Sequence, residues 1–140
     1  MNRQELMQIL PHRDTMLLLD EASVVDQVAH GKLKIKGDEW FLNGHFPNEP
    51  IVPGVILCEI LAQSTCVLLQ DQIKDSASVR TLYTGLNHVR FRNPVKPGDV
   101  FRTECVITKA KAPFYFASGK GYVGDRLCIS AEFSFAVQTL

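Results

Sequence analysis

Pro53-Gly54-Val55-Ile56-Leu57-Cys58-Glu59-Ile60-Leu61-Ala62-Gln63-Ser64-Thr65-Cys66-Val67-Leu68-Leu69-Gln70 is the stretch that decides the fold. Pro53 suits a first helical turn, where its missing N–H costs nothing. The apolar residues that follow surround the axis instead of lining one stripe, so the stretch predicts a helix buried on nearly all sides. About 18 residues would give a helix of roughly 27 Å. Glu59 is its single charged residue. A lone carboxylate among aliphatic side chains is costly to bury unless it is paired, protonated or used.

Upstream, Asp38 to Pro53 reads as a loop punctuated by glycine and three prolines. It contains Asn43-Gly44-His45-Phe46-Pro47, which sets an imidazole in a tight turn just before the helix. Imidazole titrates near neutral pH. His45 and Glu59 are therefore a candidate base and a candidate acid, the minimum equipment for proton transfer without a cofactor. Taken singly, a His in a turn and a Glu in an apolar helix are more often structural; their joint occurrence is what makes them candidates.

Asn2 to Leu10 predicts a short helix stopped by Pro11. Met16–Asp26 and Ala29–Lys36 predict strands. Downstream of Asp71–Ser78, strands are expected over Val79–Phe91, Val100–Lys109, Phe114–Val123 and Leu127–Val137, separated by turn residues such as Pro97-Gly98-Asp99 and Gly124-Asp125. In the last strand Leu127, Ile129, Ala131, Phe133, Phe135 and Val137 alternate with Cys128, Ser130, Glu132 and Ser134. One buried helix and about six strands predict an α+β fold, an antiparallel sheet curled around the helix. Such a sheet leaves an edge strand that a second copy can cover.

The chain has 140 residues, 46 % hydrophobic and 21 % charged, which fits one domain over 1–140 with a real core. No stretch nears the roughly 20 apolar residues that span a bilayer, and Met1–Met7 lacks a secretory apolar region. The expectation is a cytoplasmic protein. Cys58, Cys66, Cys105 and Cys128 show no metal-ligand spacing and read as buried thiols; no metal and no nucleotide loop is expected.

Net charge is zero, but residues 1–70 carry five Lys/Arg against nine Asp/Glu, and residues 71–140 carry ten against six. The basic excess is densest around Arg90, Arg92, Lys96, Arg102, Lys109 and Lys111. It is either a solvated strand face or a docking patch for an acidic partner. No nucleic-acid motif accompanies it.

Leu10-Pro11-His12-Arg13, Asn43-Gly44-His45-Phe46-Pro47, the Pro50–Glu59 run, Ala62-Gln63 and Val89–Asp99 together resemble the (3R)-hydroxyacyl-acyl carrier protein dehydratases of type II fatty acid synthesis. The resemblance implies a hot dog fold and dehydration of (3R)-hydroxyacyl chains to trans-2-enoyl products on acyl carrier protein. It implies no cofactor, and a homodimer that often assembles into a trimer of dimers. It assigns catalysis to His45 and Glu59, usually from two subunits. Substrate-binding candidates are Gly54, as backbone oxyanion donor at the helix N-terminus, with Phe46, Val55, Gln63 and Tyr83, the last either an aromatic near the tunnel mouth or a core strand tyrosine. Gln63, one turn beyond Glu59, either orients that carboxyl or bonds backbone. Trp40, Phe41 and Phe46 either line an acyl tunnel or pack the core. His12 and Arg13 are expected to anchor the N-terminal segment near a dimer seam, and His30 and His88 to lie at the surface.

The chain departs from the family pattern at Asp14-Thr15, where Tyr-Pro or Phe-Pro is usual. It departs again at Ser64-Thr65-Cys66, where a glycine is usual. Three other activities use the same equipment or fold: isomerisation of trans-2 to cis-3 enoyl chains, thioester hydrolysis, and non-catalytic sensing of acyl thioesters.

Overall fold

In the computed structural model, which describes residues 1–140, six strands form one antiparallel sheet. After a one-turn helix α1 (Arg3–Leu6) come β1 (Glu21–Val25) and β2 (Val28–Lys34). The long helix α2 (Gly54–Cys66) follows, then β3 (Val79–Phe91), β4 (Val100–Lys111), β5 (Phe114–Val123) and β6 (Arg126–Thr139). The strand order is β1-β2-β4-β5-β6-β3, so the sheet stays open, with β1 and β3 at its edges. Register shifts at Tyr83/Gly85, Asn87/Arg90, Ile107/Lys109 and Gly121/Tyr122 add local twist and curl the sheet around α2.

The helix is buried as its composition requires: Ile56, Leu57, Ile60, Leu61 and Cys66 join a single core of 33 buried residues. From β6 that core takes Ile129, Ala131, Phe133 and Phe135, the inward set of the period-two pattern, and also Cys128, which that pattern places on the other face. Where α2 crosses β2, a Cβ on Gly31 would stand 2.7 Å from Ser64 Oγ and Thr103 Oγ1. Only glycine lets helix and strand approach so closely. The departing residue Ser64 belongs to this crossing. Thr103 Oγ1 donates to Ser64 Oγ (2.8 Å), Ser64 Oγ to Ile60 O (2.8 Å), and Gly31 N–H to Thr103 Oγ1 (2.9 Å).

Three expected elements shift by more than two residues at an end. The helix is 13 residues long, about 20 Å, because Val67–Leu69 tighten into a 3₁₀ turn. The strand expected over Met16–Asp26 shrinks to Glu21–Val25, preceded by a 3₁₀ turn at Asp14–Met16. Here a side chain replaces the ladder: Gln63 Oε1 accepts from Leu18 N–H (2.9 Å) and Gln63 Nε2 donates to Met16 O (2.8 Å). The N-terminal helix forms only over Arg3–Leu6, with a capping box between Asn2 and Glu5. No helix is long and apolar enough to cross a membrane.

Candidate active site

His45 is held by its turn. Gly44 (φ 85°) and Phe46 (φ 62°) both take the left-handed conformation, unusual for a bulky residue such as Phe and a store of about 1–3 kcal/mol of strain. His45 N–H donates to Leu42 O (3.2 Å) and Glu49 N–H to Phe46 O (2.8 Å), which closes the loop on itself. His45 Nδ1 lies 2.7 Å from Ile51 O. A carbonyl can only accept, so Nδ1 carries the proton and Nε2 keeps its lone pair free to act as a base.

His45 faces an open cavity of about 410 Å³ lined also by Gly54, Leu57, Phe91 and Arg92. Gly54 opens α2 behind Pro53, with no side-chain cap. A Cβ at Gly54 would meet the Phe91 ring at 2.7 Å, so the absence of a side chain lets that ring lie against the start of the helix. First-turn amides have no partner within a helix, so the Gly54 and Val55 N–H groups are free to receive an oxyanion at the positive end of α2.

Glu59 lies on another side of the same helix. Leu57 and Glu59 are two residues apart, about 200° around the axis. The Glu59 side chain, 23 % exposed, accepts from Gln63 Nε2 at Oε1 (3.1 Å), and His12 Nε2 lies 3.1 Å from the same oxygen. The small cavity beside it, about 20 Å³, is lined by His12, Glu59, Gln63, Cys66, Tyr83 and Phe135 among others. That is room for about one water. Within one chain, therefore, His45 and Glu59 open onto different cavities.

The remaining expected residues divide cleanly. Gln63 does both things proposed for it, bonding backbone at Met16 and Leu18 and reaching Glu59. Tyr83 donates its hydroxyl to Cys58 O, one residue from Glu59, and packs edge-on against Phe133 at 5.9 Å. Burial, and then the nearby Cys58 and Glu59, push its phenol pKa well up. Phe46 lies tilted at 41° against the His45 ring, centroids 4.3 Å apart, and is 56 % exposed, while Val55 is 74 % exposed. Phe41 is core, whereas Trp40 is half exposed and donates to Thr15 O (3.0 Å).

The departing Cys66 lines the cavity at Glu59, and burial pushes its thiol up to about 12. All four cysteines are buried and unpaired, and no three His, Cys, Asp or Glu side chains converge as metal ligands. His88 is exposed beside Glu132 at 2.9 Å.

His12 is the residue that sequence reasoning missed as part of the site. Its neighbour Arg13 does the anchoring, donating to Leu10, His12 and Met7 carbonyls and to Ser76 Oγ. The basic patch also narrows. Arg102 is committed to Glu104, to Gly124 O and to the Tyr122 ring. Arg90 and Arg92 are exposed and in no ion pair, with Arg92 at the His45 cavity.

A family model described as a FabA-like domain matches residues 10–132. The 3-hydroxyacyl-(acyl-carrier-protein) dehydratase FabZ of Moorella thermoacetica is 40% identical over 92% of this chain and 91% of its own length. The FabZ dehydratase of Fusobacterium nucleatum is 35% identical over 95% and 94%. Among solved structures, the dehydratase heterocomplex ApeI:P from Xenorhabdus doucetiae superposes with a TM-score of 0.82 at 20% identity, covering 96% of this chain and 91% of that one. A probable thioesterase from Bartonella henselae gives 0.62 at 10% identity, covering 81% and 92%. These two structural likenesses concern the fold, which is the hot dog fold.

Proposed function

Because the chain belongs to the FabA-like family and to its 3-hydroxyacyl-(acyl-carrier-protein) dehydratases, we propose that its reaction runs in a site assembled from two copies of the chain. The chain is a lyase of fatty acid biosynthesis that removes water from 3-hydroxyacyl-acyl carrier protein. One copy supplies His45 and Gly54, the other Glu59. His45 Nε2 takes the C2 proton, and the electrons of that bond form the C2=C3 double bond. The C3–O bond breaks as the Glu59 carboxyl protonates the departing hydroxyl, which leaves as water. The Gly54 amide receives the charge that builds on the thioester oxygen. His45 then returns its proton and Glu59 regains one, which restores both groups.

The observation that carries this reading is the arrangement around α2: base and oxyanion donor share one cavity, and the acid lies on another side of the helix. Within one chain the two groups open onto different cavities, which favours a site shared between copies. Strand β3 supports the same reading. It is a 13-residue edge strand with Leu82, Leu86 and Phe91 exposed; such an edge is normally covered, and a second copy can do so. A homodimer follows, with a trimer of dimers as the larger assembly. Arg92, at the His45 cavity, and the exposed Arg90 close to it in sequence would receive the acidic carrier protein.

The test is complementation. His45→Ala and Glu59→Gln proteins, each inactive alone, are mixed under conditions that exchange subunits. Half the dimers then become mixed, and each holds one intact site, so about a quarter of wild-type activity should return. No recovery despite proven exchange would put the site within one chain. Following hydration, double-bond migration and thiol release in the same assay separates dehydratase from isomerase and thioesterase.

A further inference from the structure

We propose that His12 is a positioning residue that, together with Gln63, fixes which oxygen of Glu59 serves the reaction. The proposal rests on the assignment of Glu59 as the acid. The Gln63 amide has only one possible orientation, because its Oε1 accepts from Leu18 N–H at 2.9 Å and its Nε2 donates to Met16 O at 2.8 Å. Its second amide hydrogen therefore points at Glu59 Oε1, 3.1 Å away. His12 Nε2 reaches the same oxygen at 3.1 Å.

An oxygen that accepts from the Gln63 amide and has a ring nitrogen equally close is the crowded oxygen of the carboxyl. Oε1 is thus the anchored oxygen. Oε2 is the one that carries the transferable proton and turns toward substrate. His12 has no second task, because its Nδ1 is buried and meets no partner. Arg13 beside it shows what an anchoring side chain does, with three carbonyls and a hydroxyl engaged. The His12 side chain makes one polar contact, and that contact is Glu59.

The experiment compares two amides of different reach. His12→Gln places its N–H near the position of Nε2 and should keep kcat within about fivefold of wild type. His12→Asn places it near Nδ1, short of Glu59, and should lower kcat about 10- to 100-fold with KM within about threefold. A merely structural histidine would make the two variants alike. Should His12→Asn fail to fold by circular dichroism, His12→Ala, which also lacks reach, takes its place. Equal losses in the Gln and Asn variants, or a folded Asn variant within threefold of wild type, would overturn the proposal. In a Glu59→Gln background, His12→Asn should remove nothing further from the residual rate; a second loss of the same size would show that His12 acts independently of Glu59. If Glu59→Gln itself keeps its activity, it is the acid assignment that fails, a result distinct from either.

Discussion

The turn at His45 and the cluster at Glu59 are built in opposite ways. His45 is oriented by backbone alone: a strained loop, two left-handed residues and the Ile51 carbonyl. Around it the cavity is open, about 410 Å³. Glu59 is flanked by side chains, Gln63 one turn along the same helix and His12 from the distant N-terminal segment, in a space of about 20 Å³. A base must meet a bulky thioester and needs access. An acid must hold one proton in one direction and benefits from confinement. The contrast teaches that each group's surroundings match the part proposed for it, although the two open onto different cavities beside one helix.

The largest effect should come from removing either group. His45→Ala and Glu59→Gln should each lower turnover about 10²- to 10⁴-fold with circular dichroism unchanged. A folded variant keeping more than about a third of the wild-type rate would break the comparison at its root.

Next comes the clamp. Gln63→Leu strands the Leu18 N–H and the Met16 carbonyl as well as freeing Glu59. Urea unfolding should show a loss of about 2–4 kcal/mol, the usual consequence of orphaned buried polar groups. Unchanged stability would mean that water takes over both bonds, so that Gln63 serves Glu59 alone.

On the open side, Gly54→Ala sets a methyl against Phe91. That ring is 57 % exposed and can swing aside, so stability should fall by only about 1 kcal/mol. The rate should drop about tenfold, because the methyl stands where the thioester meets the helix amides. Full activity in Gly54→Ala would move the oxyanion donor elsewhere.

The smallest effect should be at the rim. Arg92→Glu should weaken turnover of the carrier-linked substrate about three- to tenfold at low ionic strength, fading as salt rises. A short thioester should react unchanged. Equal losses on both substrates would assign Arg92 to the fold or to the cavity wall.

By itself the sequence determined the fold class, the buried helix and the strand pattern. Each is written in a local period, 3.6 for a helix and 2 for a strand, that hydrophobic burial enforces wherever the chain goes. It also determined that His45 and Glu59 stand out, since a titratable group in a glycine-framed turn or an apolar helix is visible without neighbours. Only the tertiary structure decided what those groups touch. His12 meets Glu59, and Gln63 holds residues 16–18 in place of a strand ladder, because the curled sheet and the N-terminal loop bring distant segments onto one face of α2. No local period encodes such a meeting. The separation of base from acid likewise depends on where the Asp38–Pro53 loop docks beside the helix, and that is settled by packing, Val52 N–H against Val95 O at 2.8 Å and His45 against Ile51, not by residue spacing.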